Sequence, residues 1–338
     1  MNAAMDSTDI DRSPAGRADF AAVSKTVLRE AGIGLALVVL IIVFSVTTQH
    51  FLTASNITNI LTQVTINLVL SIGMTFVILI GGIDLSVGSV LSFCAVVAGT
   101  VMTLPGLDPA LAVTLAVISA VIAGIGFGLF NGFISAYWAI PSFIVTLGTL
   151  NIARGAALQV TNASTIYSFP AAFNAFGSRT IYGVPVLFLI ALLLVAIAWF
   201  VLAKTVFGRV LYGIGNNEEA ARLAGHNIFF YKIAAFTICG ALVGIGAIIY
   251  MARLNIASPI IGIGFELNAI AAVIIGGTSL SGGRGSVVGT LLGACIIGVL
   301  ANGLILLGLS DFMRQMITGF VIILAVILDK YRERLTKA

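Results

Sequence analysis

The sequence predicts an all-α polytopic membrane protein, with about ten transmembrane helices, an internal repeat and both termini cytoplasmic. Composition is the first reason. Of 338 residues, 59% are hydrophobic and only 9% are charged, with mean hydropathy +1.14. Soluble domains run at about 45–50% apolar and about 25% charged, so the chain reads as multispanning. The second reason is that the basic residues segregate to one side once crossings are drawn. The third is a Gly-interrupted motif that occurs once in each half.

The chain opens on a polar segment with both charge signs. It lacks the apolar core and cleavage pattern of a secretory signal, and residues 1–30 read as a disordered cytoplasmic tail. Residues 31–330 form the transmembrane domain, followed by a basic cytoplasmic tail at 331–338. Apolar segments lie at about 31–50, 57–80, 86–104, 110–136, 141–160, 184–203, 231–252, 265–282, 286–308 and 311–329. Each is roughly the ~20 residues a crossing needs. Polar residues and glycines interrupt 57–80 and 265–282.

Six crossings return residues 204–230 to the cytoplasm, and ten return the C-terminus. Arg12, Arg17, Lys25, Arg29, Lys204, Arg209, Arg222, Lys232, Arg284, Lys330, Arg332, Arg334 and Lys337 then lie inside. Only Arg179, Arg253 and Arg314 lie outside, a strong positive-inside asymmetry. The longest outer loop, 161–183, is rich in aromatic and small residues and suits packing on the membrane surface or on a partner. Cys94, Cys239 and Cys295 sit in apolar runs, and no Cys/His cluster suggests a metal.

VILIGGIDLSVG at 77–88 is echoed by AVIIGGTSLSGG at 272–283. Gly81 and Gly82 match Gly276 and Gly277, and Ser86 matches Ser281. Paired Gly-interrupted segments are a sign of transporters built from repeats. Gly-Gly breaks a helix and frees backbone groups, which is tolerable only where protein or a watery cavity satisfies them.

Asp84, Arg154 and Glu266 are the ionisable groups closest to the bilayer core, where charge is costly and usually functional. Asn131, Asn151 and Asn302 are among the amides that accompany them. The set suits a path for a neutral polyhydroxylated solute and is thin for a proton relay. Each residue has a structural alternative. Asp84 can cap the following helix. Arg154 can tie helices through carbonyls, and Asn131 and Asn302 can bond between helices.

One stretch stands apart: YGIGNNEEAARLAGHNIF at 212–229 is polar and charged. Asn216 or Asn217 can N-cap a helix, and Glu219 follows Asn216 by three residues. Glu218 and Glu219 complement the helix dipole, and Gly225 is placed to end the helix. Ala220, Leu223 and Ala224 share one face. About two turns would not be stable alone in water, so the helix needs a surface to dock on. The bland alternative is a loop lying on its own bundle.

GNNEEAARLAGHN at 215–227 resembles the cytoplasmic coupling segment of permease subunits of bacterial ATP-binding-cassette sugar importers, of the ribose-permease type. GGIDLSVGSV at 81–90, GLFNGFISAYWAIPSFIVTLGTLNIARG at 128–155, ELNAIAAVIIGGTSLSGGRGSVVGTLLGA at 266–294 and NGLILLG at 302–308 resemble it too. The resemblance runs from about residue 35 to the C-terminus.

It implies a homodimeric subunit in the bacterial inner membrane, surrounded by lipid, that carries a ribose-like monosaccharide by alternating access. An extracytoplasmic sugar-binding protein would deliver the sugar. A cytoplasmic ATPase would hold ATP and Mg, and no cofactor or nucleic acid would bind this chain. The absence of a G-x-x-x-x-G-K-[ST] phosphate loop agrees. Coupling is implied for Asn216, Asn217, Glu218, Glu219, Ala220, Arg222, Leu223, Ala224 and Gly225, with the charged three pairing with the ATPase. Other readings are a permease for another sugar, a sugar alcohol or a sugar-like signal, and an ion-coupled carrier.

Overall fold

The computed structural model describes the backbone of residues 14–337 and the side chains of residues 30–327 and 331. Residues 1–13 of the expected tail lie outside the described residues. Residues 14–30 are helical, as the start of α1 (Pro14–Thr47), where a disordered tail was expected. Residues 331–337 of the expected basic tail are helical too, as the end of α13 (Asp311–Lys337), and residue 338 lies outside the described residues.

Between them lie α2 (Ala54–Leu79), α3 (Val87–Met102), α4 (Pro109–Tyr137), α5 (Ser142–Thr161), α6 (Ala171–Ser178), β1 (Thr180–Ile181) and β2 (Val184–Pro185). There follow α7 (Val186–Lys204), α8 (Val206–Asn216), α9 (Glu218–Leu223), α10 (Ile228–Leu254), α11 (Phe265–Ile275) and α12 (Val287–Leu306). Local chemistry sets several starts. Thr53, Asp108, Thr205, Asn217, Asn227 and Ser286 each accept a backbone N–H in the first turn of α2, α4, α8, α9, α10 and α12.

Among the described residues seven helices are long and apolar enough to cross a membrane: the part of α1 from Glu30, then α2, α4, α5, α7, α10 and α12. Ten were expected. The segment expected at 86–104 forms α3, of 16 residues. The segment expected at 265–282 forms α11, of only 11, because Gly276 and Gly277 end it. The segment expected at 311–329 falls in α13, whose side chains are described only to Ile327 and at Tyr331.

The centre of the bundle is α2. Every side chain from Leu68 to Leu79 is buried, under α10, α11, α12 and α7. Peripheral helices do the reverse. On α5 only Thr146, Thr149, Ala153 and Ala157 are buried, a single stripe. On α7 Leu193, Trp199 and Phe200 point outward. Lipid rather than water solvates such faces, so only backbone groups must be satisfied internally. The α4–α10 pair meets backbone to backbone: a Cβ on Gly124 or Gly240 would overlap the other's carbonyl. The expected outer loop 161–183 packs on its own chain through α6, where Gly177 lies against the Ala252 carbonyl.

Candidate functional site

The two Gly-Gly segments end their helices alike. The amides of Gly81 and Gly82 donate to Ile78 and Val77, both at 2.9 Å. Gly277 and Thr278 donate to Ile274 and Val273 at 2.8 and 3.1 Å. Both are paired C-terminal closures with a left-handed residue, φ +75° at Gly81 and +82° at Gly277. The left-handed position is shifted by one residue from the sequence echo. The partner of Ser86 shifts further: α12 is capped by Ser286, and Ser281 lies exposed in the connecting turn. Ser286 also donates to Glu30 at 2.6 Å.

The segments meet in space. The Gly283 amide donates to the Leu79 carbonyl at 2.9 Å. A Cβ built on Gly81 would stand 3.6 Å from the Ser281 carbonyl oxygen.

Around the first break the side chains form a closed network. Asp84 is buried and accepts from the Ser86 amide (2.8 Å) and hydroxyl (2.5 Å). The Asn131 amide donates to Ser86 Oγ at 3.0 Å and lies 3.5 Å from Asp84 Oδ2. Thr149 donates to Asn131 Oδ1 at 2.6 Å. The freed backbone is satisfied from α5, where Ser142 and Thr146 accept from the Ile83 and Leu85 amides. Asp84 therefore orders the entry to α3, and Asn131 bonds between helices. All of this polar chemistry is turned inward, as low dielectric requires.

A third unwound stretch, 255–264, packs against the bundle, where an outer loop was expected. It runs along α3. Ala257 lies at Gly99, the Ser258 carbonyl accepts from Ser92 at 3.1 Å, and Gly262 backs onto Gly88. Irregular backbone survives at that depth only inside protein. Arg154 supplies the donors, reaching the carbonyls of Pro259 (2.7 Å) and Ile261 (2.8 Å). Glu266 accepts from the Gly264 amide at 3.2 Å and so orders the entry to α11.

Two expected pathway amides lie elsewhere. Asn302 and Asn56 exchange both hydrogen bonds (2.9 and 3.0 Å), locking α12 to the start of α2. Asn151 is exposed on α5 and donates to its own Leu147 carbonyl.

The charged helix is present and shorter than expected. α9 spans Glu218–Leu223, with Asn217 as cap, accepting from the Ala220 amide at 3.0 Å. Asn216 is instead the last residue of α8, so the expected pairing of Asn216 with Glu219 is not formed. Gly225 (φ +85°) closes the helix, and the next amide, His226, reaches back to Ala221. Glu218 pairs with Lys232 at 2.8 Å and Glu219 with Arg222 at 3.3 Å, so these charges already have partners within the chain. Ala221 is the buried side, while Ala220, Leu223 and Ala224 face outward.

The helix before it, α8, was hidden in the sequence as part of a loop. Val210, Leu211 and Ile214 bury its apolar face. Its end is seated on both broken helices. Gly215 lies against the Leu79 carbonyl and the Gly283 amide. Asn216 donates to the Gly283 carbonyl at 3.2 Å, and Tyr212 to the Gly285 carbonyl at 3.1 Å. Thus α9, α8 and the two Gly-Gly breaks form one continuous contact path at one end of the bundle.

Broken helices inside a lipid-facing bundle, with a small polar helix mounted on the breaks, define a polytopic membrane transport component. The chain belongs to the family of permease components of the branched-chain amino acid transport system type, whose profile matches residues 56–326. It is 43% identical over 310 residues to the ribose import permease protein of Bacillus subtilis strain 168, covering 91% of this chain and 94% of that one. Identity to the ribose import permease protein of Escherichia coli K12 is 40% over 303 residues, covering 88% and 93%. The D-allose transport system permease protein of Escherichia coli K12 is 36% identical over 295 residues, covering 87% and 89%. No solved structure gives a significant match. The chain is accordingly a multi-pass inner-membrane permease component and not an enzyme in its own right.

Proposed function

We propose that this chain is the membrane subunit of an ATP-binding-cassette importer for a ribose-like monosaccharide. Its relatives import ribose and allose, and its inward polar groups are amides and hydroxyls around a single buried carboxylate, Asp84, rather than a relay of carboxylates. The observation that carries the mechanism is the seat of α8 on the Leu79 carbonyl and the Gly283 amide. A push on the exposed face of α9 passes through α8 to both helix breaks at once.

In this reading α3, α11 and α13 join the seven longer helices to give ten segments, with both termini and α9 cytoplasmic. A separate ATPase holds ATP and Mg and docks on Ala220, Leu223 and Ala224. A binding protein delivers the sugar on the other side. The working unit is two copies of the chain, with the pathway between them. The exposed Asn151 on the thinly packed α5 is the kind of polar group such a pathway needs, since lipid would not solvate it.

The test is reconstitution of the chain with its ATPase and binding protein in vesicles. Ribose uptake is expected to require both partners and ATP. Uptake without ATP, or specific ATP hydrolysis by the purified chain alone, would overturn the assignment.

A further inference from the structure

Toward the end of the bundle opposite α9 lies a cavity of about 290 Å³ that the contact path does not use. Four helix faces converge on it, and the one from α12 contributes only Ile297, Gly298 and Ala301. Gln63 and Asn67 project from α2 at i,i+4, Tyr250 and Arg253 from the end of α10, and Phe265 and Asn268 from the start of α11. Asn67 stands twelve residues before Leu79 on α2, so the cavity is roughly 18 Å from the helix breaks at a rise of about 1.5 Å per residue.

Among the described residues, its three amides have no hydrogen-bond partners of their own. The amide nitrogen and oxygen of Asn67 are both buried without a hydrogen bond. The side chains of Gln63, Asn268 and Arg253 make no hydrogen bond or ion pair among the described residues. Unmade hydrogen bonds at this depth are costly, and such groups at membrane depth mark function by default.

The mixture selects the ligand chemistry. Each of the three amides offers a donor and an acceptor, the pairing that a vicinal hydroxyl returns. Arg253 adds a forked donor that spans two neighbouring oxygens. The rings of Tyr250 and Phe265, with centroids 6.1 Å apart and tilted by 57°, give flat apolar surface for ring C–H groups. A site built for an anion would gather cations, and among the described residues Arg253 is the one charged side chain lining this cavity.

We propose that this cavity is a sugar site inside each single chain, holding one neutral monosaccharide through Gln63, Asn67, Asn268 and Arg253. The proposal rests on the reading of the chain as a sugar permease. It adds a site within the protomer, apart from any pathway between two copies.

The test uses the complete complex in lipid nanodiscs, without binding protein, titrated with D-ribose by saturation-transfer NMR and calorimetry. Wild type is expected to bind ribose in the millimolar range. Asn67→Leu removes the amide at nearly constant volume, and is expected to weaken binding at least tenfold while the thermal midpoint stays level or rises. A merely structural Asn67 would lower that midpoint instead. Gln63→Met, one turn away, gives the same readout if Asn67→Leu fails to assemble. Unchanged ribose binding in the assembled variant overturns the site. So does saturable binding of inorganic phosphate or phosphatidylglycerol that ribose does not displace. No ribose binding by a wild-type complex that takes up ribose with its binding protein overturns the site and leaves the transport reading standing. Absence of both binding and uptake overturns both.

Discussion

Gly215 of α8 rests on the carbonyl of Leu79, the last residue of α2, with no room for a methyl group between them. The same oxygen accepts the Gly283 amide from the loop after α11. One backbone atom thus joins the amphipathic helix to both broken helices. Backbone packed on backbone has no side chain to yield, so displacement of α8 must displace the breaks.

Gly215→Ala is therefore expected to cost about 1–3 kcal/mol, the range for overpacking a close contact, and to impair transport. Gly213→Ala is the control, because nothing lies within 4 Å of a Cβ there. Thermal midpoints in detergent and ribose uptake in vesicles are the measurements. Indistinguishable behaviour of the two variants would remove the seat from the mechanism.

The Asn56–Asn302 pair makes a second test. Asn56→Leu leaves the Asn302 amide buried and unpaired, expected to cost about 1–3 kcal/mol, whereas after Asn302→Leu the Asn56 nitrogen keeps its 2.8 Å bond to the Phe51 carbonyl and the cost is expected to be smaller. Replacing both removes the orphaned Asn302, and the double variant is expected to be more stable than Asn56→Leu alone. A strictly additive double-mutant cycle would show that the reciprocal bonds contribute nothing.

The two Gly-Gly breaks were legible because glycine pairs in an apolar run have few other uses, and the charged helix because its caps are local. Other features were hidden for physical reasons. VFGRVLYGIGN at 206–216 mixes glycine with apolar residues like a loop, and becomes α8 only by burying Val210, Leu211 and Ile214 against the bundle. NIASPIIGIG at 255–264 does not encode its own depth. Its carbonyl partner, Arg154, lies about a hundred residues away. Ser281 matched Ser86 in local order, but the longer second loop moves the position before the helix to Ser286. The cavity residues are spread over four helices, and no linear motif joins them.

Arg154 carries the third prediction. Its guanidinium holds two carbonyls of the unwound segment at 2.7 and 2.8 Å. Hydrogen bonds to charged groups contribute about 1.5–3 kcal/mol. Arg154→Gln, which is shorter and neutral, is expected to loosen 255–264 and lower uptake while the rest of the bundle keeps its protection. Hydrogen exchange by mass spectrometry reads this directly. Unchanged exchange across 255–264 would show that the segment is held by other contacts.

The last prediction concerns α9. Its outward side carries Ala220, Leu223 and Ala224, with Leu223 81% exposed, beside the exposed Glu219–Arg222 pair, and its charged residues are already paired within the chain. Docking thus depends on close apolar approach rather than on free charges. Ala220→Glu places bulk and unpaired charge on that face, and is expected to abolish ATPase copurification without lowering the stability of the chain. Gly225→Val acts differently. Nothing obstructs its side chain, but φ +85° disfavours a β-branched residue. Its effect must come through the backbone, by loosening the closure that ends α9. It is expected to weaken copurification less than Ala220→Glu and to reduce uptake in proportion. Both sites are remote from the sugar cavity, so ribose binding to the purified subunit is expected to persist in both variants. Parental copurification and uptake in both would show that α9 does not transmit the stroke.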